Sequence, residues 1–193
     1  LSQKYKSLDS LPKNAIIGTT SLRRRMQLLK YRPDLQIKDL RGNINTRISK
    51  LKDGQYDAII LAYIGVSRLA LNKEIKYFEK VDKNILLPSM GQASLGIQTR
   101  NDEFKEIVAP LNDIDSYIET RIERDFVHKL NAGCQAPIGI HTTTNGDMLN
   151  VQAMLGLIDG SKILEKSINI ATRNAMDIGE DLANEFIDLF RCC

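Results

Sequence analysis

The sequence predicts an α/β protein in which a parallel-sheet domain precedes a small α+β domain with a three-stranded antiparallel sheet. Two observations carry this prediction. In the first half, apolar strands alternate three times with helical segments, the order that produces a parallel sheet with helices on its faces. In the last third, the turn dipeptides Asn145-Gly146 and Asp159-Gly160 separate three strand-like runs, as hairpin turns do.

Helix and strand signals place the elements of the first half. Thr19, Thr20 and Ser21 are residue types that cap a helix N-terminus, and Pro33 stops the helix that follows, since the residue before a proline avoids the α region. The predicted elements are strand 15–18, helix 22–31, strand 35–40, helix 44–52, strand 57–62 and a short helix opening at Gly65.

The second half begins with a charged, loop-like stretch at 73–83. Residues 85–100 are apolar but interrupted by Pro88, Gly91 and Gly96, which is typical of a crossover between sheets. The later predicted elements are helices 102–111 and 115–130, strands 138–144, 148–158 and 161–170, and helix 175–190. Fourfold spacing predicts two buried faces, one with Ile118, Ile122, Phe126 and Leu130 and one with Ile178, Leu182, Phe186 and Leu189.

The segment from Gly18 to Arg47 is strongly basic, with only Asp34 and Asp39 as acidic residues. Its basic residues are Arg23, Arg24, Arg25, Lys30, Arg32, Lys38, Arg41 and Arg47. Two helices in this segment begin at the carboxyl ends of strands, where ligands bind in open α/β sheets and where free N–H groups attract anions. Arginine there suits carboxylates or phosphates. The segment therefore predicts an anion site, with a merely solvated basic face as the alternative.

A single cysteine stands out in the stretch N-A-G-C-Q-A-P-I-G. Cys134 follows Asn131 and Gly133, residue types that end a helix in a left-handed conformation, and Pro137 fixes the loop beyond it. This placement favours a thiol on an exposed loop and a reactive role, although free cysteines are more often simply buried.

Composition excludes several classes of protein. Three cysteines form neither a disulfide framework nor a zinc motif, and His128 and His141 belong to no ligand-spaced set, so we expect no metal. No apolar run is long enough to span a membrane, and we expect the cytoplasm or an organelle interior. A nucleic-acid binder could use the basic segment, but aromatic residues are 6%, tryptophan is absent and no stacking platform lies among the arginines.

Six motifs, in this order, resemble the porphobilinogen deaminase (hydroxymethylbilane synthase) family. They are G-T-T-S-L-R-R, Y-R-P-D-L, L-R-G-N-I-N-T-R, K-L-x-x-G-x-Y-D-A-I-I-L-A, L-P-S-M-G-Q and G-C-Q-A-P-I-G. The resemblance implies two periplasmic-binding-protein-like domains and a third domain with the cofactor cysteine. It assigns residues 1–88 to the second domain, 89–112 to a crossover strand and helix of a first domain whose N-terminal bulk is absent, and 113–193 to the third.

The resemblance also implies a chemistry. Family members join four porphobilinogen molecules with loss of ammonia, and the growing chain hangs on a dipyrromethane held by a thioether to the cysteine that matches Cys134. The partners are then porphobilinogen and the lengthening polypyrrole, with no nucleic acid and no membrane, and the complete protein is expected to be a monomer. The implied carboxylate-binding residues are Ser21, Arg23, Arg24, Arg41 and Arg47, with Thr19, Thr20, Arg68 and Gln92 as weaker candidates.

Some features do not carry over from the family. No aspartate here matches the acid–base aspartate of the first domain, so the chain alone is expected to be inactive. Ala93 and Ser94 follow Gln92 where the family commonly has Gly-Ala, and Arg25 is an extra arginine expected to face solvent. Arg68 could equally cap a surface helix. The competing hypothesis is a non-catalytic anion-binding module, which would keep the arginines but have no use for Cys134.

Overall fold

The structure, a computed structural model, describes residues 1–69, 74–100, 102–132 and 136–191, and the chain divides into two compact units. The first unit comprises Leu1–Leu86 together with Gly156–Lys162, and the second comprises Leu87–Leu155 and Ile163–Cys193. The predicted fold class is confirmed in outline, because a three-stranded parallel sheet is followed by a three-stranded antiparallel sheet, each with helices.

The first unit is built on a parallel sheet with the order β2-β1-β3. Its elements are β1 (Ile16–Gly18), α1 (Leu22–Tyr31), β2 (Gln36–Lys38), α2 (Ile44–Lys52), β3 (Ala58–Ile59) and α3 (Tyr63–Arg68). The central strand pairs Ile17 with Ile37 on one side and with Ala58 on the other. Each strand is therefore followed by a helix, and all three connections lie at the same edge of the sheet.

Side-chain caps explain why α1 and α2 have the predicted bounds. The Ser21 side chain accepts a hydrogen bond from the N–H of Arg24, and the Asn43 side chain accepts one from the N–H of Thr46. Such caps satisfy backbone donors that a helix cannot satisfy itself. The helix α3 begins at Tyr63, two residues before the predicted Gly65.

Two apolar clusters stabilise the first sheet. Leu28 of α1 packs with Ile17 and Ala58, whereas Leu51 of α2 packs with Ile59 and its neighbours. Successive residues of a strand face opposite sides of a sheet, so the two clusters lie on opposite faces of the sheet. The helices thus pack on both faces of the sheet.

The predicted strands 35–40 and 57–62 are longer than the observed β2 and β3. The predicted extension of β3 is wrong because β1, the strand with which β3 pairs, ends at Gly18, before the chain turns into α1. The carbonyl oxygen of Ile60 instead accepts a hydrogen bond from Arg24. Residues 74–83 contain no α-helix, and Ser2 and Tyr77 form an isolated antiparallel bridge.

The second unit consists of an antiparallel sheet, β4-β5-β6, and two long helices. Its elements are α4 (Lys105–Val108), α5 (Ile114–Lys129), β4 (Ile138–Asn145), β5 (Met148–Gly156), β6 (Ile163–Ala171) and α6 (Ile178–Arg191). The predicted helix 102–111 is not continuous, since 3₁₀ turns flank α4 and the second contains Pro110, which has no N–H to donate. The predicted third strand begins at Ile163 instead of Ser161, beyond the Asp159-Gly160 turn.

Helices α5 and α6 bury their apolar faces together with the inner face of β4 and β5. The predicted α5 face is confirmed, with Ile122 and Phe126 buried and Ile118 and Leu130 packed against the same core. The predicted α6 face is only partly correct, because Leu189 is 45% exposed and Ala183 is buried instead. A 3₁₀ turn at Thr172–Asn174 delays the start of α6 from the predicted residue 175 to Ile178.

Residues 89–100 form neither a helix nor a strand, so the predicted crossover strand is not observed there. Several apolar side chains between residues 95 and 114 lie in solvent. The exposed fractions are 88% for Leu95, 57% for Ile97, 70% for Ile107, 68% for Leu111 and 69% for Ile114. This is an unusually apolar surface for one short stretch of chain.

Candidate anion-binding site

The candidate site lies at the carboxyl edge of the parallel sheet. The register aligns Gly18 with both Lys38 and Ile59, so the turns that follow β1, β2 and β3 meet at one edge. Four arginines come from the first two of these turns and the helices they open. We call them the arginine cluster: Arg23, Arg24, Arg41 and Arg47.

Hydroxyl groups order the turn between β1 and α1. Thr19 is buried, its N–H donates to the carbonyl of Lys38 at 2.9 Å, and its hydroxyl accepts the N–H of Ser21 at 3.2 Å. Ser21 in turn caps α1. The hydroxyl of Thr20 lies 3.5 Å from the carbonyl oxygen of Leu40. Thr19 and Ser21 therefore shape the turn that presents the first two arginines.

Two members of the cluster are fixed by backbone carbonyls. Arg24 Nη1 donates to the carbonyl of Ile60 at 3.0 Å, across the end of β3. Arg47 Nε donates to the carbonyl of Gly42 at 2.7 Å, which folds its side chain back over the start of α2. A guanidinium has five N–H donors, so each bond leaves further donors for a ligand.

Burial and mutual repulsion both act on the arginines. Arg23 is only 8% exposed, and burial followed by the nearby charge of Arg24 lowers its pKa to about 10. Burial and the charge of Arg47 likewise lower the pKa of Arg24. Three guanidiniums thus lie close enough to repel one another, and an anion placed among them would relieve that repulsion.

The other predicted arginines are less constrained. Arg41 has an 82% exposed side chain that lies 3.6 Å from the carboxylate of Asp39, an ion pair of little strength at the surface. Arg68 is exposed in the last turn of α3. Arg25 does not simply face solvent as predicted, because it is half-buried and its Nη2 lies 3.5 Å from the carbonyl oxygen of Ile37.

The remaining predicted residues belong to the second unit. Gln92 is exposed, and its amide oxygen lies 3.4 Å from the backbone nitrogen of Ser89 and 3.2 Å from its hydroxyl. Cys134 lies outside the described residues, together with Gly133 and Gln135. Of the two predicted helix terminators, Asn131 acts as predicted, since it has φ of 50° and its N–H donates to the carbonyl of His128 at the end of α5.

One buried carboxylate was not anticipated from the sequence. Glu123 of α5 is 5% exposed and accepts hydrogen bonds from the backbone N–H groups of Gly91 and Thr142. Its position between Ile122 and Phe126, on the border of the apolar stripe, was the available signal.

Neither a metal site nor a membrane helix is present in the described parts of the chain. No group of three or more histidine, cysteine, aspartate or glutamate side chains in the described ranges could hold a metal ion. None of the helices within these ranges is both long and apolar enough to span a bilayer.

Comparisons with known proteins give one consistent result. Residues 1–107 match the family model described as porphobilinogen deaminase, dipyromethane cofactor binding domain, and residues 117–188 match the porphobilinogen deaminase C-terminal domain. The chain is 52% identical to a porphobilinogen deaminase of Aliarcobacter butzleri over 190 residues and 51% identical to one of Nitratiruptor. These alignments cover 97% of this chain but 61% of each relative. The chain therefore spans less than two thirds of the length of these curated relatives.

Proposed function

Because the chain belongs to the porphobilinogen deaminase family, we propose that it supplies the carboxylate-binding and cofactor-bearing parts of an enzyme that condenses four porphobilinogen molecules into hydroxymethylbilane. The reaction belongs to tetrapyrrole biosynthesis and releases ammonia at each condensation. Its substrate and its lengthening product carry acetate and propionate groups on every pyrrole, so the number of carboxylates grows as the chain lengthens.

The observation that carries the proposal is the arginine cluster at the sheet edge. The pKa values of Arg23 and Arg24 are lowered by burial and then by neighbouring guanidiniums, so positive charge is concentrated at this edge. A polycarboxylate ligand brings negative charge to these arginines and accepts bidentate hydrogen bonds from guanidinium forks. The donor set therefore fits a dipyrromethane or polypyrrole with several carboxylates.

Each residue of the site has a distinct role in this proposal. Arg23 and Arg24, close to the sheet, bind the carboxylates of the cofactor or of the first substrate ring. Arg47 and the exposed Arg41 bind the side chains of rings nearer the solvent. Ser21 positions the first turn of α1 and offers its hydroxyl. Four secondary contacts, Thr19, Thr20, Arg68 and Gln92, complete the assignment.

Cys134 is the proposed attachment point for the dipyrromethane cofactor. A thiolate is a soft nucleophile that attacks electrophilic carbon. The bound cofactor provides the pyrrole carbon to which the first substrate is joined. The residues of this chain bind and orient the carboxylates, and no aspartate here matches the acid–base group that family members use.

The exposed apolar stretch supports the domain assignment made from the sequence. We assign residues 1–88 to a periplasmic-binding-like domain, 89–112 to a crossover belonging to a further domain, and 113–193 to the cofactor-attachment domain. Leu95, Ile107 and Leu111 are each more than two thirds exposed, which is costly unless other protein covers them.

Replacing Cys134 with serine separates this proposal from a non-catalytic anion-binding module. In the proposed enzyme, Cys134→Ser abolishes the acid-aldehyde colour that covalently bound pyrroles give, while carboxylate binding by the arginine cluster survives. A binding module would show no covalent pyrrole in either protein and equal ligand binding in both.

A further inference from the structure

Glu123 joins three separate segments of the second unit. Its Oε2 accepts the N–H of Gly91 at 2.6 Å, and its Oε1 accepts the N–H of Thr142 at 2.8 Å. The Nδ1 atom of His141 lies 3.7 Å from the same Oε1. One carboxylate in the interior thus contacts the segment before Gln92 and strand β4 while it belongs to helix α5.

Two of these three segments, α5 and β4, flank Cys134 in the chain. Helix α5 ends at Lys129, just before the loop, and β4 begins at Ile138, just after it. The segment 87–91 is tied to the start of β4 by a hydrogen bond from the N–H of Ile140 to the carbonyl of Pro88 at 3.1 Å. Leu87 also packs so closely on Gly139 that an added Cβ would lie 3.2 Å from its side chain.

The chemistry of the contact requires a carboxylate. Two backbone N–H donors point at two oxygens, and an ionised carboxylate is the common side chain that offers two acceptors and no donor. A glutamine would keep one acceptor and direct its amide hydrogens at the other N–H group. The two bonds are charge-assisted and buried, so each is stronger than an ordinary hydrogen bond.

We propose that Glu123 is a positioning residue, which holds the segment leading into Gln92 against the two elements that flank the Cys134 loop. This proposal rests on the proposed function for the roles of Gln92 and Cys134. Its physical part, the fixing of Gly91, does not depend on that function. Sequence reasoning did not identify Glu123, because its partners are 32 residues before and 19 residues after it.

The same helix provides a matched control. Glu119, one turn earlier, is half-buried, and its Oε1 accepts the N–H of Thr144 at 2.6 Å. It therefore joins α5 to β4 as Glu123 does, but without the bond to Gly91. A change at Glu119 reports the cost of loosening α5 from β4 alone.

The first experiment compares Glu123→Gln and Glu119→Gln in the full chain by amide hydrogen exchange measured by NMR. We expect the Gly91 amide of the wild type to be protected, and Glu123→Gln to speed its exchange about 10-fold or more, since a hydrogen bond to a charged group is lost. Glu119→Gln leaves Gly91 protection unchanged. Equal protection of Gly91 in all three proteins would overturn the proposal.

The second experiment measures covalent loading of Cys134. The apo chain is incubated with porphobilinogen in the presence of an active porphobilinogen deaminase, and intact mass follows attachment in the wild type, Glu123→Gln, Gln92→Ala and the double variant. We expect Glu123→Gln to slow attachment about 10-fold in the wild-type background and by a much smaller factor when Gln92 is already alanine. Additive effects would reduce Glu123 to a general structural role and overturn its positioning role.

The two experiments separate the possible failures. If wild-type Cys134 is never modified, the proposed function fails, and the exchange measurement still decides whether Glu123 fixes Gly91. If wild-type Cys134 is modified and Glu123→Gln loads at the same rate, the proposed function stands and the positioning role fails.

Discussion

The guanidinium of Arg24 donates to the carbonyl oxygen of Ile60 at 3.0 Å, which joins the first turn of α1 to the end of β3. This contact holds the arginine at the edge of the sheet. A carbonyl oxygen is neutral, so this bond does not neutralise the positive charge of Arg24. The same bond therefore joins two elements of the fold and keeps the charged guanidinium at the edge where an anionic ligand would bind.

Arg24 provides the most direct mutational test of the site. We expect Arg24→Gln to weaken porphobilinogen binding about 10-fold, because a charge-assisted hydrogen bond is lost, and Arg24→Lys to weaken it less, because charge remains without the fork. Isothermal titration calorimetry at constant salt measures both. Arg121, exposed on α5, provides the control Arg121→Gln, and equal losses for Arg24→Gln and Arg121→Gln would show non-specific attraction instead of a site.

Asp34 gives a prediction for the pH dependence of stability. Both of its oxygens accept from Arg32 at 2.7 Å, and these hydrogen bonds lower the Asp34 pKa below its ordinary value of 3.8. A lowered folded-state pKa adds stability above the unfolded-state pKa and loses it as the pH falls through the folded-state pKa. We expect the wild type to be more stable than Asp34→Asn at pH 7, with the difference shrinking below about pH 4.

Urea denaturation at several pH values checks this prediction. Asp39→Asn is the control, because Asp39 lies in an exposed and longer ion pair with Arg41. A stability difference for Asp34→Asn that stays constant down to pH 3 would contradict the assignment to the Asp34 carboxylate.

The core of the second unit depends on an aromatic pair. Phe126 and Phe186 are almost fully buried and meet edge to face, with ring centroids 5.4 Å apart. We expect Phe126→Ala to lower the free energy of unfolding by about 3–5 kcal/mol, since it removes buried area and leaves a cavity. Phe104 is 44% exposed, and Phe104→Ala is expected to change stability by about 0.5 kcal/mol or less. Chemical denaturation measures both changes in the free energy of unfolding, provided that the m-values of the variants agree. Similar losses of stability for Phe126→Ala and Phe104→Ala would argue against this core.

Gly179 allows α6 to approach α5 closely. An added Cβ would overlap the carbonyl oxygen of Ile122 and lie 3.1 Å from the backbone nitrogen of Phe126. Because backbone atoms cannot move aside as a flexible side chain can, we expect Gly179→Ala to destabilise by about 1–3 kcal/mol. Gly96 has open space around it, so Gly96→Ala should be nearly neutral. Thermal unfolding compares the pair, and an unchanged midpoint for Gly179→Ala would show that the helices do not pack this closely.

Local signals predicted the helices better than the strand ends. Ser21 and Asn43 cap the N-termini of their helices, so α1 and α2 begin at the predicted residues. The end of β3 depends instead on where its partner strand β1 stops, and β1 is distant in the sequence. The predicted burial of Leu189 was wrong because the helical pattern of apolar residues continues beyond the last residue of α6 that contacts the core.

The sequence indicated which residue types form the candidate site, but not which of those residues contact one another. Arginines after two successive strands indicated an anion site, and the structure brings Arg23, Arg24 and Arg47 close enough for their charges to interact. The exposure of Arg41 and the half-burial of Arg25 depend on packing that a single sequence does not show. The burial of Glu123 was not predicted because a glutamate in a helix usually lies at the surface.

The most direct test of the central claim is the mass of the peptide that contains Cys134 in the full-length protein. Tryptic mapping follows intact-mass measurement of the purified protein, with Cys134→Ser as the reference. We predict an added mass equal to one dipyrromethane on the Cys134 peptide and none in Cys134→Ser. An unmodified Cys134 in the full-length protein would contradict the enzyme and favour the anion-binding module.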